Sequence, residues 1–399
     1  MTTVYPFLEP TDDELAVLEL IDGLRQELRH RVAEPRRWTG GLRRLSEARN
    51  VQASNSIEGY NATLDDVVAV ADGEAPLDAD AETRMAVAGY QEAMTYVLQA
   101  SQDDIAIVDE GVVKALHFMM LKHDLSKFPG RWRPGDIYVR RENTGEIVYT
   151  GPDAGLIDEL VGEMLERLDD AADRDIPVLI RAAMVHLNFV MIHPFKDGNG
   201  RMARCLQTLV LAREKIVAPV FSSIEEYLGA NTSDYYDVLA TVGRGTWNPQ
   251  NDPRPWIDFS LLAHYRQAAT LLRRLQEYES LWVALSHLAA QRRLPERCIG
   301  PLCEAAYGFR IRRATYVKNV DVTFGEPIAD LTASRDLKAL VNAGFLEPIG
   351  DTRGRYYVAT NTLKQHWQGI REARRGRGND DPFEIVRERR QLTMDLQAS

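Results

Sequence analysis

Residues 193–204 read HPFKDGNGRMAR, and this stretch decides how the rest of the chain is interpreted. Apolar residues with helical spacing lie on both sides of it, whereas a proline and two glycines interrupt the helical pattern. The pattern therefore predicts that His193 ends one helix and that Arg201 begins the next. Because Gly198 and Gly200 have no side chain beyond hydrogen, backbone N–H groups there can converge at a helix N-terminus and bind phosphate oxygens.

Four polar side chains in this stretch have the chemistry of a nucleotide site. Arg201 and Arg204 lie on one helical face, where both guanidinium groups can contact a polyphosphate. Asp197 is well placed to hold Mg²⁺, the usual companion of nucleotide phosphates. His193 is the only side chain of the loop that can accept a proton near neutral pH. A capped helix beside a core histidine would explain one such residue, but it does not explain all four together.

The stretch matches the signature HxFx(D/E)GNGRxxR without a departure, and the chain therefore resembles the Fic family. This resemblance implies transfer of AMP from ATP to a Ser, Thr or Tyr hydroxyl of a protein, the chain itself included. His193 would deprotonate the target hydroxyl, Asp197 would bind Mg²⁺, and Asn199 with the loop N–H groups would form an anion hole. The ATP site implied by the motif consists of Gly198, Asn199, Gly200, Arg201, Met202, Ala203 and Arg204.

Two further segments resemble parts of that family. Short β-rich runs around Asn143-Thr144-Gly145 predict a hairpin, at the place of the family's target-positioning flap. Its residues are Ile137, Tyr138, Val139, Ile147, Val148 and Tyr149. The segment that begins at Asn231 resembles the N-x-x-x-Y-Y motif beside the nucleotide base, which adds Asn231, Tyr235 and Tyr236 to the ATP site. Core packing is the alternative for the two tyrosines. The resemblance covers roughly residues 110–265.

A helix end at Ser54 to Gly59 resembles the family's inhibitory motif, (S/T)xxxE(G/N). On its own this stretch is an ordinary helix end with a solvated glutamate. Carried over residue by residue, the resemblance makes Glu58 the partner of Arg204, with Ser54 one helical turn earlier on the same side. A carboxylate there would take the guanidinium fork that should bind the γ-phosphate, and would misalign ATP for in-line attack. The resemblance therefore implies inhibition within the same polypeptide.

Relatives use the same loop for other reactions. In the Doc branch, which phosphorylates its target, lysine is typical at the position of Gly200, so this glycine favours AMP transfer. Phosphocholine transfer and removal of AMP also occur in the family, and the sequence excludes neither.

The region from about residue 281 predicts a different domain. A helix capped by Thr332 and ended by Gly344 precedes two β-like runs that flank a turn with arginines. This order is typical of a winged helix-turn-helix. Residues 281–360 contain 11 Lys+Arg and 8 Asp+Glu, hence +3, which is a low charge for DNA binding. The sequence leaves open DNA or a protein as the partner, and a DNA-binding regulator with a nucleotide-sensing core is the rival function.

Composition limits the class of protein. The chain has 399 residues with 48 Lys+Arg and 59 Asp+Glu, and its net charge of −11 argues against a protein that coats nucleic acid as a whole. Three cysteines are too few for a disulfide framework and indicate a reducing compartment. No apolar run is long enough for a membrane span. We therefore expect a cytoplasmic protein without membrane contact, and a homodimer is left open.

The predicted fold class is mainly α: a Fic helical core with a small β-hairpin flap, plus a C-terminal winged helix-turn-helix domain. We expect an N-terminal helical region with the inhibitory helix at 1–108 and a catalytic core at 109–265. A connecting helix at 266–280, the winged helix at 281–362 and a basic helical tail at 363–399 complete the prediction.

Overall fold

The computed structural model describes residues 3–33, 36–100, 102, 108–140, 144–213, 223–325, 327–351, 354–373 and 380–398. The described chain is mainly helical, as predicted, with two small two-stranded sheets. The first eight helices are α1 Asp12–Ala33, α2 Thr39–Ile57, α3 Leu64–Ala71, α4 Ala81–Ala100, α5 Glu110–Leu121, α6 Ile157–Asp173, α7 Val178–Ile192 and α8 Asn199–Arg213. The others are α9 Glu225–Ala230, α10 Thr232–Gly243, α11 Arg254–Gln291, α12 Ile299–Ala306, α13 Arg313–Phe324, α14 Asp330–Asn342, α15 Asn361–Glu372 and α16 Pro382–Ala398. The strands are β1 Tyr138–Arg140, β2 Ile147–Thr150, β3 Leu346–Ile349 and β4 Tyr356–Ala359.

The centre of the fold is the antiparallel pair α7 and α8. Both helices are buried along nearly their whole lengths; α7 is mainly apolar, whereas α8 also buries polar residues of the motif, among them Arg201 and Arg204. The long helix α11 packs against α7, where the Trp256 indole donates a hydrogen bond to the Ala183 carbonyl at 2.7 Å. The loop at 193–198 joins two helices that the core holds rigidly, which fixes the position of its side chains.

The predicted hairpin is present. Strands β1 and β2 are antiparallel, with Tyr138 opposite Thr150 and Val139 opposite Tyr149. The predicted turn begins at Asn143, which lies outside the described residues. Backbone hydrogen bonds between Thr150 and residues 245 and 247 tie the hairpin to the chain after α10.

The region after α11 has helices α12 to α14, followed by the hairpin of β3 and β4, in the order predicted. Its identification as a winged helix stays a prediction. The expected cap at Thr332 is wrong, because α14 begins at Asp330 and Thr332 lies inside it. Asp330 places a carboxylate in the first turn, where it interacts favourably with the helix dipole.

Helix α11 extends beyond the expected end at Ser280. The predicted connecting helix, residues 266–280, is an internal part of α11, which continues to Gln291. Leu281, Leu285 and Ala289 are buried and continue its apolar face. The predicted domain boundaries remain predictions.

The C-terminal region contacts the N-terminal helices through ion pairs. Arg310 pairs with Asp78 at 2.6 Å, and Lys318 pairs with Asp72 at 2.7 Å. These basic groups therefore face acidic residues of the same chain. In the described part of the chain, no helix is long and apolar enough to cross a membrane.

Candidate active site

The HPFKDGNGRMAR loop begins at the end of α7 and closes at the start of α8. His193 follows α7 in the left-handed conformation, with φ of 52°. Asn199 closes the loop, because its amide accepts a hydrogen bond from the Phe195 N–H and donates one to the Phe195 carbonyl, both at 2.9 Å. Helix α8 begins at Asn199, two residues before the expected Arg201. The Asn199 side chain therefore holds the loop, and its part in the expected anion hole stays a prediction.

His193 has the tautomer that a general base requires. Its Nδ1 lies 3.1 Å from the Val190 carbonyl oxygen, which can only accept a hydrogen bond, so Nδ1 carries the proton. Nε2 then has a free lone pair. Burial lowers the pKa of His193 below its ordinary value, although the Val190 carbonyl and Glu58 oppose that effect. The imidazole is therefore neutral and able to accept a proton at pH 7.

Asp197 lies on the exposed side of the loop. Its Oδ1 accepts a hydrogen bond from the Gly198 N–H at 2.7 Å, and its Oδ2 pairs with Lys127 Nζ at 3.0 Å. Burial opposes ionisation of this carboxyl, but Lys127 and Arg201 outweigh it and lower the pKa of Asp197. One partly exposed carboxylate fits Mg²⁺, which takes its other ligands from phosphates and water.

His117 on α5 packs against the loop and holds its backbone, a role that the sequence analysis missed. Its ring stacks on Phe195 with centroids 3.6 Å apart. Nδ1 accepts from the Gly130 N–H at 2.8 Å, so Nε2 carries the proton and donates to the Asp197 carbonyl at 3.0 Å. Burial lowers the pKa of His117 to about 4, which keeps both hydrogen bonds intact at neutral pH.

Arg133 joins the loop to the base of the flap and was also missed. Its Nε donates to the His193 carbonyl at 2.9 Å, and its Nη2 donates to the Pro152 carbonyl at 2.5 Å. One buried guanidinium therefore fixes the backbone of the candidate base relative to the hairpin.

Arg201 is fully buried at the start of α8. Its guanidinium carbon lies 4.9 Å from the centroid of the Tyr60 ring. Nε and Nη1 are buried and have no hydrogen-bond partner among the described residues. Buried cationic donors without partners are costly, so this group is suited to an anion.

Arg204 makes the contacts that the resemblance implied. Its Nη2 lies 2.8 Å from Glu58 Oε1, its Nε donates to Ser54 Oγ at 2.8 Å, and Nη2 also donates to the Ser54 carbonyl at 2.9 Å. Burial works against the charged guanidinium, but Glu58 outweighs it and raises the pKa of Arg204. Nη1 is buried without a partner in the described structure. Gly59, with φ of +84°, ends this segment.

Gly200 provides the space that the Glu58 carboxylate uses. A Cβ at Gly200 would lie 2.3 Å from Glu58 Oε1 and 3.2 Å from Arg204 Nη1. Two other motif residues, Met202 and Ala203, are fully buried in the hydrophobic core. Their side chains are apolar and offer no hydrogen bond to ATP, so the prediction for them rests on their backbone groups.

The residues expected near the nucleotide base of ATP differ in exposure. Asn231 Nδ2 donates to the Tyr227 carbonyl at 2.8 Å, which satisfies the end of α9. Tyr235 is buried, with its hydroxyl 3.0 Å from His186 Nε2, and this favours the core alternative. Tyr236 is 48% exposed and donates to the Ile57 carbonyl at 3.3 Å, beside the end of α2.

The flap residues also divide into anchors and exposed side chains. Tyr149 is buried and donates a hydrogen bond to the Met191 carbonyl at 2.8 Å, so it holds the flap against α7. Tyr138 and Ile147 are exposed, at 47% and 45%, and could contact a target. Val139 and Val148 are half-buried between these extremes. Ile137 packs beside Gly151 at the base of the hairpin.

Comparisons with known proteins agree with this arrangement. The family model described as "Fic/DOC family" matches residues 107–211. The chain is 28% identical over 149 residues to "Protein adenylyltransferase fic-1" of Caenorhabditis elegans, which covers 37% of this chain and 27% of that protein. It is 29% identical over 273 residues to "Protein adenylyltransferase Fic" of Nematostella vectensis, which covers 64% of this chain and 55% of that protein. The chain therefore spans between about a quarter and just over half of the length of these relatives.

Solved structures show the same fold. The crystal structure of a Fic family protein from Desulfovibrio desulfuricans G20 superposes with a TM-score of 0.58 at 23% identity, and covers 89% of this chain and 98% of that one. A Fic domain containing signaling protein from Bacteroides thetaiotaomicron gives a TM-score of 0.53 at 18% identity, and covers 66% of this chain and 97% of that one. The motif and the family match confirm the resemblance for this part of the chain, and the solved structures share its fold: residues 107–211 form a Fic/DOC family domain.

Proposed function

We propose that this chain transfers AMP from ATP to a Ser, Thr or Tyr hydroxyl of a protein, itself included. Relatives named protein adenylyltransferase support the proposal, although they match the chain over only part of their lengths. The geometry around α8 supplies the physical argument.

The observation that carries the proposal is the set of buried guanidinium nitrogens at the start of α8 that have no partner among the described residues, in the same motif as a histidine with a free Nε2. Arg201 Nε and Nη1 and Arg204 Nη1 have no partner among the described residues. They lie on the first two turns of α8, whose N-terminus attracts negative charge. A polyphosphate would supply the acceptors that these donors lack. His193 is held at the other end of the same loop.

In the proposed reaction, His193 Nε2 takes the proton of the target hydroxyl as that oxygen attacks the α-phosphorus of ATP. The bond from the α-phosphorus to the bridging oxygen breaks, and pyrophosphate leaves. Arg201 and Arg204 hold the β- and γ-phosphates, which keeps the leaving group in line with the attacking oxygen. The flap, tied to His193 through Arg133, presents the target segment.

We further propose Asp197 as the protein ligand of Mg²⁺. When bound, the ion would neutralise charge on the phosphates. Asp197 Oδ2 is engaged by Lys127 in this structure, so coordination of the ion requires that ammonium to move. Lys127 is 39% exposed and lies on a short turn, and its displacement into water is inexpensive.

The ion pair between Glu58 and Arg204 is the proposed inhibitory contact. Glu58 places a carboxylate beside Gly200, where the phosphate tail would pass. Two negative groups at one site repel, and Nε and Nη2 of the Arg204 guanidinium are already engaged by Ser54 and Glu58. We infer that the enzyme is inactive while this pair is formed.

The remaining assignments are also proposals. The winged helix serves as a docking domain for a protein target, because Arg310 and Lys318, two of its basic groups, already pair with acidic residues of the N-terminal region. The free, buried cysteines are compatible with the cytoplasm. DNA binding by this domain, removal of AMP and homodimerisation stay as alternatives.

The test is incubation of the full chain with Mg²⁺ and ATP labelled at the α-phosphate. Label in the protein that is absent from a His193→Ala variant supports the transferase. A shifted promoter fragment without any transfer supports the regulator instead.

A further inference from the structure

A second cleft of about 580 Å³ is lined by residues of α2, α11 and α15 and by Tyr307, which follows α12. It shares no lining residue with the candidate active site described above. Its volume is within the range of roughly 300–1,000 Å³ that is usual for small-molecule sites.

The floor of the cleft carries excess positive charge. Arg274 donates two hydrogen bonds to Glu226, at 2.9 and 2.6 Å, and Arg49 adds a third at 3.3 Å. Two guanidinium groups thus share one carboxylate. Arg49 Nε is buried and has no partner in the described part of the chain. Burial, together with the like charge of Arg274, lowers the pKa of Arg49. An anion bound nearby would stabilise the charged guanidinium and so oppose this shift.

The mouth of the cleft adds two arginines that are weakly engaged. Arg273 Nε lies 3.9 Å from Glu277, beyond hydrogen-bond distance, and its side chain is 38% exposed. The Arg371 guanidinium carbon lies 5.9 Å from the centroid of the Trp367 ring. Among the described residues, neither guanidinium makes a hydrogen bond that an incoming anion would have to displace.

One wall of the cleft is aromatic. The rings of Tyr307 and Trp367 have centroids 4.2 Å apart, and Tyr278 stacks behind Tyr307 at 5.5 Å. The Tyr307 hydroxyl is buried and makes no hydrogen bond to any described residue. Burial raises its pKa, so the hydroxyl keeps its proton at neutral pH and can donate it to an acceptor.

We propose that this cleft binds a small aromatic anion of the nucleoside monophosphate class, with its ring on Trp367 and Tyr307 and its acidic group on the arginines. An aromatic wall next to a cluster of guanidinium groups recognises both parts of such a molecule. The inference does not rest on AMP transfer at the other site.

The probe is AMP, titrated calorimetrically into the full chain, with adenosine and inorganic phosphate as partial probes. Each partial probe lacks one half of the recognised chemistry and should bind at least about tenfold more weakly than AMP. The double variant Arg273→Gln/Arg371→Gln should weaken one AMP-binding step at least about tenfold. Both side chains are at the mouth, and an unchanged melting temperature checks that the fold is intact.

The matched control is Lys364→Gln, which removes an exposed positive charge from the same helix α15 without lining the cleft. It should leave AMP binding unchanged. AMP bound only at the active site would be insensitive to the double variant, and that result would overturn the proposal. Equal weakening in the control, or no AMP binding up to about millimolar concentration, would overturn it as well. Each of these results would leave the proposed transferase activity standing.

Discussion

Replacement of Glu58 by glycine should raise the rate of AMP transfer. The substitution removes the carboxylate that lies 2.8 Å from Arg204 Nη2 and opens the space above Gly200. A charge-assisted hydrogen bond of this kind contributes roughly 1.5–3 kcal/mol. Because the Glu58 side chain is 23% exposed, solvent screens the pair and the lower end of that range applies. Release should therefore raise the rate at least about tenfold.

The assay is the initial rate of self-labelling with ATP and Mg²⁺ for the parent, Glu58→Gly and Glu58→Gln. Glu58→Gln keeps the size of the side chain and removes its charge. It therefore separates charge repulsion of the phosphates from steric obstruction of their binding site. Arg204→Ala in the Glu58→Gly background should abolish the gain, because the phosphate-binding fork is lost. If Glu58→Gly labels itself no faster than the parent, the inhibitory assignment is wrong while the catalytic assignment stands.

Three further predictions concern the general base, the metal ligand and the packing of α2. His193→Ala should lower the transfer rate by about 10²–10⁴ with ATP binding retained. In the parent, the lowered pKa of His193 should shift the loss of rate at acid pH below the pH at which an ordinary histidine would cause it. Asp197→Ala should flatten the dependence of the rate on Mg²⁺ concentration, and an unchanged curve would remove it from the metal site. Gly229→Ala would place a Cβ 2.8 Å from the Ala53 Cβ on α2, and should cost about 1–3 kcal/mol in denaturant unfolding, whereas Gly23→Ala meets nothing within 4 Å and should not destabilise.

The sequence was most informative where local rules apply. Proline and glycines in the motif correctly predicted a break between two helices, and short β-rich runs around Asn143-Thr144-Gly145 correctly predicted the hairpin. The contact of Glu58 with Arg204 spans 146 positions and came only from the family resemblance. Periodicity and spacing alone could not supply it.

Contacts between distant segments were not predictable from the residues. Lys127 pairs with Asp197 and His117 holds the Asp197 carbonyl, although both belong to a segment about 70–80 positions earlier. Nothing local marks such residues, because their roles depend on how α5 packs against α8. The sequence left Tyr235 open between the ATP site and the core, because a motif position does not state which way a side chain faces; its burial favours the core.

The chemical identity of the adduct tests the central claim most directly. Glu58→Gly protein is incubated with Mg²⁺ and with ATP labelled at either the α- or the γ-phosphate, and its intact mass and bound label are then measured. Our account predicts covalent addition of AMP that retains the α-label, releases the γ-label with pyrophosphate, and is absent from the Glu58→Gly/His193→Ala double variant. Retention of the γ-label, or an adduct that persists without His193, would contradict it.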